Sequence, residues 1–152
     1  MKRAVCLSAV LGMSFFAGCN QPTLIPNTDP NLRRTSTQFA ADAAKRHPYK
    51  ADAPQGGEAL ANAQYDLTFS TISLLNYSTE DWTDVEVWVN RKYVCWLPLI
   101  EKGKVRVKTI NFSMLYDADG NSFSTDGGKN PVQAVEILRS GKMYAVSTKL
   151  AD

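Results

Sequence analysis

From Gln64 onward the chain places apolar residues at every second position, and nothing after that point repeats them at the three-and-four spacing of an amphipathic helix. Tyr65, Leu67, Phe69 and Thr71 share one parity, after which Ile72 and Leu74 take over the other. Val85, Val87 and Val89 alternate with Glu86, Trp88 and Asn90. Val105 and Val107 alternate with Arg106 and Lys108, and then Ile110, Phe112 and Met114 become the apolar set. A period of two lines one face of a pleated strand, so each run predicts a strand with one side in a core. The two changes of phase predict bulges, or strands that leave one sheet for another. VQAVEIL and MYAVSTK, joined by Ser140-Gly141, predict a closing hairpin.

About six or seven such strands in residues 64–152, with no helix between them, predict an all-β domain, a small immunoglobulin-like β-sandwich. An open barrel is the other architecture compatible with the pattern. In DVEVWVNRKYVCWLP a two-residue loop, Asn90-Arg91 or Arg91-Lys92, puts Val85, Val87, Val89, Val94 and Trp96 on one face and Trp88, Tyr93, Cys95 and Leu97 on the other. The valine face is the expected core, because β-branched residues pack well on a pleat. The second face is too apolar to be simply wet. Either the preceding segment around Phe39 covers it, or Trp88 and Tyr93, with Trp82, form an exposed aromatic surface for a glycan or partner protein.

Residues 20–62 are rich in Pro, Gly, Asn and Asp and read as a linker to a domain beginning at residue 64. Within it TSTQFAADAAKRH predicts one short helix over about residues 35–46. Its Ser/Thr cluster offers an N-cap, Lys45 and Arg46 suit the last turn, and Pro48 bars continuation. Phe39 and alanines are its only apolar content, so it needs a larger body to dock on.

At the N-terminus Lys2 and Arg3 precede an apolar run, residues 4–17, too short for a bilayer span and of the length of a secretory signal. The run ends Phe16-Ala17-Gly18-Cys19, which resembles the lipobox of bacterial lipoproteins. The resemblance implies removal of residues 1–18, acylation of Cys19 and a membrane anchor made of acyl chains. Asn20 after the cysteine resembles the signal for an outer-membrane destination in enteric lipoproteins, within a periplasm-facing envelope location.

Cleavage removes Lys2 and Arg3, leaving 17 − 2 = 15 Lys and Arg against 15 Asp and Glu. A neutral chain gives no ground for nucleic-acid binding or polybasic attraction to anionic lipid. Cys6 leaves with the signal and Cys19 is acylated, so Cys95 is left without an intramolecular disulfide partner and is expected to be buried as a small hydrophobe.

The residues that could carry chemistry are few. His47, the one histidine, stands in the linker, and with Cys95 it makes neither a zinc set nor a convincing nucleophile pair, so no cofactor, metal or catalytic residue is assigned. DADGN, residues 117–121, departs from the calcium-loop pattern and reads as a tight turn at Asp119-Gly120. Glu80, Asp81 and Asp84 beside Trp82 offer paired carboxylates of the kind glycan hydrolysis uses.

Asn76-Tyr77-Ser78 running through Asp81-Trp82 into Val85-Glu86-Val87, with Leu115-Tyr116-Asp117 and Gly120 later, resembles the FxLYD-type domain. The whole mature chain also resembles small lipoproteins of planctomycete type, which carry no assigned activity. These resemblances imply an immunoglobulin-like envelope lipoprotein and transfer no functional residue beyond Cys19. The functional expectation is a lipid-anchored, non-catalytic binding or structural module. A carbohydrate-binding module on the aromatic face and a small glycan hydrolase on the acidic cluster are the alternatives.

Overall fold

The computed structural model describes residues 35–103 and 105–151, so the signal segment, the lipobox and Cys19 lie outside the described residues. One helix, α1 (Ser36–Arg46), precedes seven strands: β1 (Gln55–Asp66), β2 (Thr71–Asn76), β3 (Trp82–Val89), β4 (Tyr93–Ile100), β5 (Val107–Asn111), β6 (Val135–Arg139) and β7 (Lys142–Leu150). The helix starts where the Ser/Thr cluster predicts, in a capping box: Thr35 accepts from the Gln38 N–H while the Gln38 side chain accepts from the Thr35 N–H. No helix among the described residues is long and apolar enough to cross a membrane.

The strands hydrogen-bond in the order β4-β3-β6-β7-β1-β2-β5, all neighbours antiparallel except β1 with β7. In immunoglobulin lettering this is C′-C-F-G followed by A-B-E, the two sheets of the sandwich joined along a parallel A–G seam. Seven strands at about 4.8 Å each would span about 30 Å if flat. Leu97 of β4 and Ile110 of β5, at opposite ends of the order, nevertheless belong to one buried cluster, so the halves face each other across a shared core. Ile72 and Leu74 of β2 and Ile137 of β6 occupy the centre between the halves, fully buried.

Three expectations about boundaries are corrected. The first strand begins at Gln55 rather than near residue 64: β1 reaches back into the supposed linker and buries Ala59, Ala61 and Ala63, whose small side chains gave no strong strand signal. The run from Tyr65 to Leu74 is a hairpin rather than one bulged strand. Asp66 Oδ1 accepts from the N–H groups of Thr68 and Phe69 and turns the chain, leaving Leu67 and Phe69 exposed. The phase change after Val107 marks the late start of β5 and a 3-10 turn, Phe112–Met114, that ends it.

A true phase switch occurs elsewhere, inside the hairpin of β3 and β4. Trp82 and Val85 are both buried, as are Leu97 and Ile100, so the buried parity changes on both strands together. Asp84, with φ of 55°, stands opposite Pro98 at the switch. Pro98 brings no N–H and lies on an edge strand, where that omission costs least.

Candidate functional site

The hairpin loop decides which side chains face outward. Val89 pairs with Tyr93, so the loop is the three residues Asn90, Arg91 and Lys92, not two. Asn90 and Arg91 take positive φ (53° and 57°). Asn90 is fixed by the lead-in to β6, its Oδ1 accepting from the N–H groups of Gln133 and Ala134 and its Nδ2 donating to the Pro131 carbonyl. One extra loop residue inverts the parity of β4. Cys95 and Leu97 therefore join Val85, Val87 and Val89 in the core, and Val94 and Trp96 move to the outer face with Trp88.

That outer face is covered, though not as expected. Trp88 is 3% exposed, beneath Tyr49, whose ring meets it edge-on at 5.2 Å, and beside Ala44, Leu138 and Met143. The segment after α1 is clasped by two buried carboxylates. His47 Nδ1 lies 2.8 Å from Glu86, which also accepts from the Trp88 indole, and the Tyr49 hydroxyl donates to Glu136 at 2.9 Å. Within α1 it is Ala40 and Ala44 that dock, while Phe39 turns outward.

The proposed aromatic surface of Trp82, Trp88 and Tyr93 is thus corrected. Trp82 is also 3% exposed, in the main core, with the Arg139 guanidinium 4.9 Å from its ring. Tyr93 packs edge-on against Phe123 at 5.1 Å, on the core side of the sheet from Trp88. Trp82 and Tyr93 thus lie toward the main core and Trp88 on the other side, so the three rings leave no common exposed platform.

The acidic residues beside Trp82 are each engaged. Glu80 pairs with Arg139, Asp81 accepts from the Lys102 N–H, and Asp84 accepts from the Trp96 indole. Among the described residues no three of His, Cys, Asp and Glu gather as metal ligands would. Asp117 is 2% exposed and organises the DADGN turn, accepting from the N–H groups of Asp119 and Asn121 and pairing with Lys92. Burial raises its pKa, but the bonds from Asn121, Lys92 and Asp119 outweigh that and hold the carboxyl below its usual 3.8. Gly120 closes the turn at φ 83°, and a Cβ there would stand 2.4 Å from the Thr37 carbonyl oxygen of α1. The turn is the seat on which the helix lies.

With α1 seated there, a half-open groove of about 630 Å³ remains between the helix and β4. Phe39, Trp96 and Met114, exposed by 61%, 47% and 47%, converge on it from α1, β4 and the 3-10 turn. Its helix side is made of Ala40, Ala43 and Ala44, and Arg46, His47 and Asp84 supply polar atoms. The alternation pattern placed Trp96 in the core because it assumed the shorter loop. The one available signal was Asn90, a residue that tolerates positive φ and so permits a longer loop.

No family model matches the chain, and no curated protein matches it. Among solved structures, the ligand binding region of Serine-glutamate repeat protein A (SgrA) of Enterococcus faecium is similar, with 15% identity and a TM-score of 0.34, over 63% of this chain and 95% of that one. Fold and site together define an all-β, immunoglobulin-like domain whose outer face is partly clasped by its own N-terminal helix.

Proposed function

We propose that the chain is a lipid-anchored module of a bacterial cell envelope that acts by binding, and that the groove between α1 and β4 is its recognition surface. The observation that carries this reading is the convergence of Phe39, Trp96 and Met114, three large apolar side chains from separate elements left exposed around one concavity. Exposed apolar surface of this kind gains nothing for folding, and contiguous patches of it mark interaction sites. The other aromatic and acidic candidates are buried or engaged in the fold, so the groove is where recognition has room to occur. The lipobox ending in Cys19 supports the anchor, and the neutral mature chain leaves acyl chains as the means of membrane contact.

The test is site-specific photocrosslinking in intact cells that make the full chain. With p-benzoylphenylalanine at position 39, a discrete light-dependent adduct is expected that is absent when the probe replaces Phe69, which is also exposed but does not line the groove. The adduct should disappear when Ala43→Trp fills the groove. Equal labelling from positions 39 and 69, or an adduct indifferent to Ala43→Trp, overturns the reading.

A further inference from the structure

We infer that the free edge of β5 is a pairing site for a second copy of this chain, the two β5 strands running antiparallel about Thr109 so that the A-B-E strands of both copies form one continuous sheet. No residue of β5 lines the groove, so the pairing stands or falls independently of it.

A strand at the end of a sheet presents a row of unpaired N–H and C=O groups, and folds commonly blunt such an edge. The strand order leaves β4 and β5 as the two ends. β4 is blunted twice: Tyr116 exchanges two backbone hydrogen bonds with Val94, and Pro98 has no N–H to offer. β5 has neither device.

The backbone pairing decides which β5 groups are open. Antiparallel ladders alternate between residues that bond across to the neighbour and residues that address the opposite side. Phe112 donates its N–H to the Ser70 carbonyl, so by this alternation Ile110 and Lys108 turn their backbone groups toward Ile72 and Leu74 of β2. The N–H and C=O groups of Val107, Thr109 and Asn111 therefore point to the open side, and none of them has a partner among the described residues. The side chains of these three residues are exposed and uncharged.

The same five residues are complementary to themselves. A two-fold axis perpendicular to the sheet makes the contact isologous, each copy using the same patch. With the axis at Thr109, Thr109 stands opposite Thr109 and Val107 opposite Asn111, so all the open residues bond, in about six hydrogen bonds. Facing threonines are a favourable cross-strand pair. Lys108, the one charge in β5, then lies opposite Ile110 of the other copy. Moving the axis to Lys108 would set two like charges directly opposite, which destabilises a ladder, and moving it to Ile110 would leave Val107 out of the pairing. Lys108, a residue type that often bars edge pairing, here selects its register. The antiparallel arrangement also brings Val105 of one copy, 89% exposed, to the end where Met114 of the other, 47% exposed, follows its strand.

Disulfide trapping on the purified full chain reads this register. The pairing sets the two Thr109 Cα atoms about 5.5 Å apart, within disulfide reach, while the two Val107 Cα atoms are displaced by roughly 13 Å along the strands. Under copper phenanthroline, Thr109→Cys should give a covalent dimer at least fivefold in excess of the parent, which accounts for the native cysteines, and of Val107→Cys on the same edge. Adding Val107→Pro to Thr109→Cys removes an N–H that the single chain leaves open, and it should cut the dimer at least fivefold while keeping the circular dichroism spectrum. A dimer yield from Thr109→Cys within twofold of that from Val107→Cys overturns the pairing, as does a yield that the folded proline variant leaves within twofold. The comparison of positions 109 and 107 decides the case even where the proline variant does not fold.

Discussion

Cys95 is 6% exposed in the core opposite Val87, and burial pushes its thiol up to about 11, against a small opposing pull from the Lys108 ammonium. Below pH 9 folded and unfolded chains both keep the proton, so pH has no leverage through this group. Above pH 9 the unfolded chain releases it while the folded chain retains it, and stability falls as pH rises toward 11. Two pH units correspond to about 3 kcal/mol at most. Denaturant titrations at pH 8 and pH 10.5 should therefore show the wild type losing about 2 kcal/mol more than Cys95→Ala over the same interval, although Cys95→Ala starts lower because of the cavity it leaves. Parallel losses in the two proteins would mean that Cys95 is not buried as a neutral thiol. The burial itself was legible in the sequence, because a cysteine without a disulfide partner is chemically quiet in an oxidising compartment when it is out of solvent.

At the scale of elements, the hairpin of β3 and β4 shows where legibility ended. Strand identity was readable, since Val85, Val87 and Val89 and the Ser140-Gly141 turn use short-range rules of parity and turn chemistry. Loop length was not. It depends on Asn90 meeting residues 131–134, more than forty positions away, and no local pattern reports that contact. The miss moved Trp96 from core to surface, and with it the candidate site. Ala59, Ala61 and Ala63 hid the first strand for a related reason: alanine is apolar enough for the core yet carries little preference for a strand. If Asn90 fixes the register, Asn90→Ala should cost about 2 to 3 kcal/mol in urea denaturation, from three lost hydrogen bonds and a strained φ. Asn90→Gly should recover the backbone part and cost about 1 kcal/mol less than the alanine variant. Identical costs for the two would assign the effect to the hydrogen bonds alone.

For the whole molecule, the proposed envelope location raises the question of what would hold it at a membrane. Three kinds of attachment leave different signatures: an apolar span, a basic surface, or a covalent lipid. The apolar run of residues 4–17 is shorter than the roughly 20 residues a span requires. Basic attraction needs an excess of Lys and Arg worth about 1 kcal/mol each near an anionic surface, and the chain from residue 19 onward has 15 of each sign. A lipid on Cys19 is the proposed attachment, and it would make salt irrelevant, because hydrocarbon insertion contributes about 0.8 kcal/mol per buried CH₂ whatever the ionic strength. The membrane fraction should accordingly retain the protein through a 1 M salt wash and release it only to detergent. Intact mass should correspond to a chain starting at residue 19 and carrying added acyl mass. Cys19→Ser should lose that acyl mass, since the side chain that the resemblance makes the acyl acceptor is gone. A wild-type chain that washes off in salt, or whose mass shows an unmodified Cys19, would remove the anchor and leave the groove on a protein that reaches its ligand by diffusion.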